Sequence, residues 1–162
     1  MILLLLACSE AQPLESDADS GAEPFSVRIN EVCTDNESTY ADEAGEFDDW
    51  VELVNLADAP RSLLGATLTD GSGVAWALPD TTLAPGGRVV LSCDGETDQG
   101  PLHGPFALEK DGESLTLRDA DRVLADEVEV PALDADASWA RVPDGDGPFV
   151  VADDPTPGRT ND

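Results

Sequence analysis

Short segments in which apolar and polar residues alternate follow one another along the chain from residue 25 onwards. Gly, Pro and Asp separate these segments, and none of them has sustained helical periodicity. Alternation with a period of two is typical of β-strands with one buried face, because successive side chains point to opposite faces. The pattern therefore predicts an all-β domain over residues 25–162, built as a sandwich or a barrel.

Two strands, residues 27–32 and 50–55, form the centre of this prediction, and an acidic loop joins them. Both faces of the second strand carry apolar side chains, which suits a central strand. Later segments predict a hairpin over 63–78, a strand at 88–93, a pair formed by 106–108 and 115–117, a strand at 124–130, and a last pair at 138–142 and 149–151. We expect about eight or nine strands in all, at the spacing of a sandwich.

The N-terminus is an apolar run that ends in Ala7, directly before Cys8, and it is too short to span a bilayer. Residues 5–8 (LLAC) resemble the lipobox of bacterial lipoproteins, in which the signal peptide is removed and the cysteine is acylated. The resemblance implies a signal-peptide remnant at 1–7, lipidation at Cys8 and, with Ser9 next, an outer-membrane destination. No Lys or Arg precedes the short run, so we expect the true start codon upstream. An ordinary hydrophobic N-terminus beside an unrelated cysteine is the alternative.

Residues 8–24 contain mainly Ser, Glu, Ala, Asp, Gly and Pro, with a single leucine. Such a segment cannot bury enough apolar area to offset the entropy of ordering. It is predicted to be a disordered, acidic tether between the lipidated cysteine and the domain.

The formal net charge is −27, from 35 acidic and 8 basic residues. This charge repels nucleic acid and anionic membrane surfaces, and Lys110 is the only lysine, so nucleic-acid binding is excluded and membrane attachment is expected through the lipid anchor only. Two interpretations of the acidity stay open, a solvated surface and a site for divalent cations.

Two cysteines lie within the predicted domain. Cys33 continues the alternation of Ile29, and Cys93 continues that of Leu91, so both thiols are expected to point into the apolar layer. In an exported protein such a pair predicts a disulfide. The alternative is two separate buried thiols.

Glu31 shares a face with Ile29 and Cys33 if the first strand is regular, and a buried carboxylate is costly unless it is paired. We therefore expect either a bulge that re-aims Glu31 or a partner, with Arg141 or a pair of backbone amides as the candidates. A structural role is the first interpretation and a ligand role the second.

No cofactor is expected, and calcium is the one alternative that the sequence leaves open, because two loops are rich in carboxylates. The second loop does not match an EF-hand, since Gly100 falls one place late when counted from Asp94 and no downstream glutamate is spaced to match. The candidate metal ligands are Asp35, Asp42 and Asp48 in the first loop, and Asp94, Glu96 and Asp98 after the strand at 88–93.

Catalytic motifs are scarce. His103 is the only histidine, and the chain has no Gly-x-Ser-x-Gly, Walker or His-Glu-x-x-His sequence. The chain is therefore expected not to be an enzyme, with a carboxylate-based hydrolase as a distant alternative.

Several of the predicted strands and turns resemble, in order, those of the bacterial lamin-tail domain. The segments are INEV (29–32), DWVELVN (49–55), LLG (63–65), LTD (68–70), LAPGG (83–87), GESLTL (112–117), RVPDG (141–145), PTPG (155–158) and Asn161. The resemblance covers nearly the whole proposed domain. It implies an immunoglobulin-like β-sandwich and a non-catalytic interaction role in envelope or secreted proteins, with no catalytic residues.

These observations predict a lipid-anchored interaction or adhesion module in the bacterial cell envelope, at the outer membrane or cell surface. It would bind an envelope protein or a glycan through loops at one end of the sandwich. The alternative is a calcium-dependent adhesion domain. The residues expected to hold the core together are Glu31, Trp50, Leu53, Trp76 and Arg141.

Overall fold

The structure, a computed structural model, describes residues 24–161, which form β-strands, turns and loops without a helix. The strands are β1 (Val27–Cys33), β2 (Trp50–Asn55), β3 (Arg61–Ser62), β4 (Thr67–Thr69), β5 (Ala75–Ala77), β6 (Thr82–Leu83), β7 (Arg88–Cys93), β8 (His103–Gly104), β9 (Gly112–Arg118), β10 (Leu124–Pro131), β11 (Ser138–Arg141) and β12 (Phe149–Ala152). Nothing in this range is a helix able to span a membrane. The predicted lipidation site Cys8 and all but the last residue of the tether lie outside the described residues.

Two sheets supply most of the structure. One has six strands in the order β12-β11-β1-β2-β7-β8, and the other has four in the order β10-β9-β4-β5. Neighbouring strands are antiparallel except for the parallel pair β7–β8, and β3 pairs with β6 as a small third sheet. This architecture confirms the predicted all-β, immunoglobulin-like fold.

The core lies between the two larger sheets, and both contribute aliphatic side chains at alternate positions. Leu53 of β2 is fully buried there, and Trp76 of β5 is 7% exposed. Other core members are Val27, Ile29, Val32, Val51, Leu68, Leu91, Leu115, Leu117, Val128 and Val130. The period-two alternation in the sequence therefore places these residues on the inner faces.

The four-stranded sheet differs from the prediction at one strand. Residues 106–108 were expected to pair with β9, but β4 occupies that position, with Leu68 opposite Leu117. Phe106 and Leu108 are buried without forming a strand. The prediction was wrong because burial at alternate positions does not require ladder hydrogen bonds.

A β-bulge at Asn30 determines which side chains in the rest of β1 point toward the core. Ile29 is opposite Leu53, but Glu31, two residues later, is opposite the next residue, Glu52. The extra residue reverses the alternation, so Glu31 leaves the core face on which a regular strand would place it. This is one of the two solutions expected for a buried carboxylate.

The same bulge moves Cys33 away from the core. Cys33 pairs with Trp50 on the outer face of β2, whereas Cys93 of β7 lies in the core. Strand β2 also separates the two cysteines, which puts them about 10 Å apart, and disulfides need Cα atoms within about 7 Å. The predicted disulfide was therefore wrong, and both cysteines are buried free thiols.

Alkylation of the native protein tests this arrangement. Burial raises the pKa of Cys33 to about 12, and burial likewise raises that of Cys93 well above its ordinary value. At pH 8 the thiolate of Cys33 is then roughly a thousandfold rarer than that of an exposed cysteine. Peptide-resolved mass spectrometry after iodoacetamide treatment should find both cysteines unmodified in the native protein and modified in guanidinium. A disulfide-linked peptide, or equal labelling in both states, would contradict the structure.

The outer face of the six-stranded sheet carries two fully buried carboxylates, Glu31 and Glu52, opposite each other on β1 and β2. Ser138 Oγ donates to Glu31 Oε1 at 2.6 Å. The C-terminal segment supplies the other donors, because Thr156 N and Oγ1 each lie 3.0 Å from Glu31 oxygens and Gly158 N lies 2.6 Å from Glu52 Oε2. This segment therefore satisfies carboxylates that would otherwise be buried without partners.

Three further polar side chains complete what we call the outer polar layer, defined as Asn30, Glu31, Glu52, Asp144 and Asn161. Asn30 Nδ2 donates to Glu52 at 2.8 Å and to Asp144 at 3.0 Å. Asn161 donates through its backbone N to Asp144 at 2.9 Å and through Nδ2 to the Asn30 carbonyl at 3.3 Å. The bulge residue thus connects the sheet to the C-terminal segment.

Arg141, one of the two candidate partners of Glu31, does not contact it in the structure. Its guanidinium donates to both carboxylate oxygens of Asp126 on β10, at 3.0 and 3.1 Å, and to the carbonyl of Ile29 at 3.0 Å. It also lies 4.2 Å from the centre of the Phe149 ring. Arg141 therefore joins the two sheets at β1 and β10 instead of neutralising the buried glutamate.

Candidate functional site

Two loops lie at the same end of the six-stranded sheet. Cys33 at the end of β1 is opposite Trp50 at the start of β2, which is opposite Ser92 near the end of β7. Antiparallel neighbours therefore bring the first loop (residues 34–49) and the second loop (residues 94–102) together.

Asn36 holds the first loop in shape. Its Nδ2 donates to the carbonyls of Tyr40 at 2.7 Å and Asp48 at 2.8 Å, and its Oδ1 accepts from Thr39 and Tyr40. The ring of Tyr40 packs edge-on against that of Trp50, with the ring centres 6.2 Å apart, so the loop also contacts the outer face of the sheet. One buried amide thus connects the two halves of the loop.

Replacing Asn36 with alanine is expected to lower the free energy of unfolding by about 2 to 3 kcal/mol, because it removes several hydrogen bonds and leaves buried carbonyls without donors. Guanidinium denaturation measures the change. The control Glu37→Ala removes an exposed side chain from the same loop and should stay within about 0.5 kcal/mol of the native protein. Equal stability of the two variants would refute this role of Asn36.

Asp42 begins a tight turn and has one free oxygen. Its Oδ1 accepts from Ala44 N at 2.8 Å and Glu46 N at 2.9 Å, and Gly45 closes the turn at φ +85°. These N–H groups, with that of Glu46 foremost, lower the pKa of Asp42. Its Oδ2 has no hydrogen bond, although the side chain is only 2% exposed.

His103 faces this free oxygen from β8, which runs parallel to β7. The ring is buried, and its Nδ1 lies 2.5 Å from Asp94 Oδ2. Its Nε2 lies 3.4 Å from Glu43 Oε1 and 3.9 Å from Asp42 Oδ2, without a hydrogen bond to either. Burial by itself lowers the pKa of His103, but the hydrogen bond and charge of Asp94, with a smaller effect of Glu43, raise it overall.

Two overlapping groups of ligand atoms meet at Asp42. Within each group the atoms lie within 4.8 Å of one another. One group is Asp42, Glu43 and His103, and the other is Asp42, Glu46 and Asp48. We call these five residues the acid–histidine cluster. Burial raises the pKa of Asp48, and the charges of Asp94 and Asp42 raise it further.

The structure brings only some of the six predicted metal ligands together. Asp42 and Asp48 belong to the cluster, and Asp94 contacts it through His103. Glu96 lies at its rim, where Gln99 donates to both Glu96 and Glu46. The remaining two, Asp35 and Asp98, belong to neither group of ligand atoms in the described part of the chain.

Sequence reasoning missed Glu43, Glu46 and His103 as members of the cluster. His103 was not among the predicted metal ligands, although a single histidine beside a carboxylate-rich loop is also a metal-ligand signal. Nothing in the spacing shows that β8 returns parallel to β7 and faces the first loop.

A cleft of about 620 Å³ lies elsewhere, beside the turn of residues 70–74. Its two buried carboxylates are Asp70 and Glu113. Glu113 accepts from Gly71 N at 2.9 Å and Ser114 N at 2.7 Å, and Asp70 accepts from Val74 N at 2.7 Å. These carboxylates therefore hold the turn in place.

Comparison with known families gives one match. The Lamin Tail Domain family model matches residues 21–132, which include both loops and the whole acid–histidine cluster. The segments after residue 132, including the C-terminal segment and Asn161, lie outside the match. The curated proteins contain no match to this chain.

Proposed function

Because this chain belongs to the lamin tail domain family, whose immunoglobulin-like domains are typically non-enzymatic, we propose that it is a non-catalytic interaction module of the bacterial cell envelope. It binds a protein partner through the first loop. The observation that carries this proposal is Phe47, a large apolar side chain that is 48% exposed among carboxylates of that loop.

An exposed aromatic ring on a stiff loop suits binding. Aromatic anchors surrounded by a polar rim contribute much of the affinity at protein interfaces. Asn36 and Asp42 fix the loop through backbone hydrogen bonds, which reduces the entropy lost on binding.

The charge around Phe47 indicates the chemistry of the partner. Glu43 and Glu46 are exposed in the same loop, and the whole chain is strongly acidic. Complementary charge increases association rates and excludes like-charged partners. The partner is therefore a protein with a basic surface and an apolar pocket.

In this proposal the N-terminal residues determine the location of the protein in the cell. Acylated Cys8 anchors the chain, and the following tether holds the domain away from the membrane. Fractionation of the native host tests the anchor. The full chain should appear with the outer membrane and Cys8→Ser should not, whereas equal distribution of the two would contradict the anchor.

Crosslinking pull-downs from envelope extract test the binding surface. The baits are the native protein, Phe47→Ala and the matched control Val123→Ala, which truncates a 60% exposed side chain in the turn between β9 and β10. We expect Phe47→Ala to lose the captured protein and Val123→Ala to keep it, with capture falling as salt rises.

Two results would overturn the proposal. Equal capture by Phe47→Ala and the native protein would show that the first loop is not the binding surface. Capture that survives protease digestion of the extract would indicate a glycan in place of a protein.

A further inference from the structure

The acid–histidine cluster contains three buried polar atoms that no hydrogen bond satisfies. One is Asp48 Oδ2, and the other two are Asp42 Oδ2, on a side chain 2% exposed, and His103 Nε2, on a side chain 0% exposed. Buried polar atoms without partners are costly and rare. Asp42 Oδ2 and His103 Nε2 lie 3.9 Å apart, and Glu43 Oε1 lies 3.4 Å from the same ring nitrogen.

The spacing of these atoms fits a metal ion. Zinc bonds to nitrogen and oxygen are about 2.0–2.2 Å long, so neighbouring ligand atoms in a tetrahedral zinc site lie about 3.3–3.6 Å apart. His103 Nε2 is 3.4 Å from Glu43 Oε1 and 3.9 Å from Asp42 Oδ2. Small side-chain movements would complete the geometry.

Asp94 orients the histidine as a ligand. Metal-bound histidines usually donate their other ring N–H to a carboxylate, which fixes the tautomer and aims the free nitrogen at the metal. Asp94 Oδ2 lies 2.5 Å from Nδ1 and leaves Nε2 facing Asp42 and Glu43. Asp94 is therefore a positioning residue in this arrangement.

The donor types select the class of metal. Calcium and magnesium prefer oxygen ligands alone, whereas an imidazole nitrogen combined with carboxylates suits zinc and related ions. We infer that the cluster binds one divalent transition-metal ion, best matched by zinc, through His103 Nε2, Asp42 Oδ2 and Glu43 Oε1. Either Asp48 or Glu46, grouped with Asp42, supplies a fourth ligand.

Such a metal ion would join the first loop to β8 and stabilise this end of the sandwich. It would bind the folded chain in preference to the unfolded one and so raise the melting temperature. The inference goes beyond the proposed function, because metal binding requires no partner protein.

Calorimetric titration of the metal-stripped full chain with zinc chloride, at about 150 mM salt, tests the site. We compare the native protein with His103→Gln, Glu43→Gln and the control Asp98→Asn, and thermal unfolding is measured with and without zinc. Asp98→Asn removes an exposed carboxylate of the second loop that lies outside both groups of ligand atoms. Glu43 is 59% exposed, so Glu43→Gln should fold normally.

We expect one saturable zinc site in the native protein and in Asp98→Asn, at least about tenfold weaker binding in Glu43→Gln, and no stoichiometric binding in His103→Gln. Zinc should raise the melting temperature of the native protein and of the control. Equal zinc affinity in the native protein and the Glu43 and His103 variants would overturn the inference, because it would indicate diffuse binding to surface carboxylates. Calcium chloride is titrated in the same way, and tighter binding of calcium than of zinc would also overturn the inference.

Discussion

Deleting residues 155–162 is expected to lower the free energy of unfolding by about 4 kcal/mol or more, a large part of the roughly 5 to 15 kcal/mol by which domains of ordinary stability are folded. The deletion removes the donors of Thr156 and Gly158 to Glu31 and Glu52, which are fully buried on adjacent strands. Leaving a buried polar group without its hydrogen-bond partner costs roughly 1–3 kcal/mol, and more for a charged group, and the deletion removes three donors from two carboxylates. Guanidinium denaturation, followed by tryptophan fluorescence, measures the effect.

The control for this deletion lies in the same segment. Arg159 is exposed, and within the described residues its side chain donates one hydrogen bond, to the carbonyl of Pro155 at 3.4 Å, so Arg159→Ala should change stability by less than about 0.5 kcal/mol. In the deleted chain, replacing both buried glutamates with glutamine should recover part of the loss, since neutral side chains need less compensation. A deletion that costs under 1 kcal/mol would show that the outer polar layer is not closed by this segment.

The second large effect is on the pH dependence of stability. Burial raises the pKa of Glu52 from its ordinary 4.5 to about 7, and Glu31 opposes ionisation further, while the donors Asn30 and Gly158 and the charge of Arg88 offset only part of this. The folded protein therefore binds this proton more tightly than the unfolded chain. The contribution of Glu52 protonation to the free energy of unfolding is complete below pH 4.5 and is lost as pH rises through 7.

Denaturation at pH 5 and pH 8 measures this contribution. The native protein should be more stable at pH 5, with about 2 to 3 kcal/mol of the difference due to Glu52. Glu52→Gln should lose that part of the pH dependence and be the more stable protein at pH 8, whereas the exposed control Glu127→Gln should keep the native profile. Burial also raises the pKa of Asp49 to about 6. The stability of Glu52→Gln should therefore still fall as pH rises, but by a smaller amount. A native protein that is more stable at pH 8 would contradict this ionisation pattern.

Much of the fold could be predicted because burial follows a period of two along strands such as β9. Leu115 and Leu117 alternate there with less buried polar positions, and both lie in the core. A bulge that re-aims Glu31 was one of two expectations, but its consequence for Cys33 was not predicted, since one inserted residue leaves the composition of the strand unchanged while it reverses the facing of Cys33. The predicted disulfide failed for that reason.

The site was predicted only in part. Acid-rich loops are visible in the sequence, and Asp42 and Asp48 do come together. The contribution of His103 depends on a two-residue parallel strand that pairs with β7. Such a long-range contact leaves no periodic signal, because it depends on how the second loop returns to the sheet.

The account depends most on the convergence of the first loop and His103 of β8 on the proposed metal site. Anomalous diffraction at the zinc absorption edge, from crystals of the full chain grown with zinc, tests this directly. We predict a single strong peak about 2.0–2.2 Å from both His103 Nε2 and Asp42 Oδ2. Peaks at exposed carboxylates such as Asp98, with none beside His103, would contradict it.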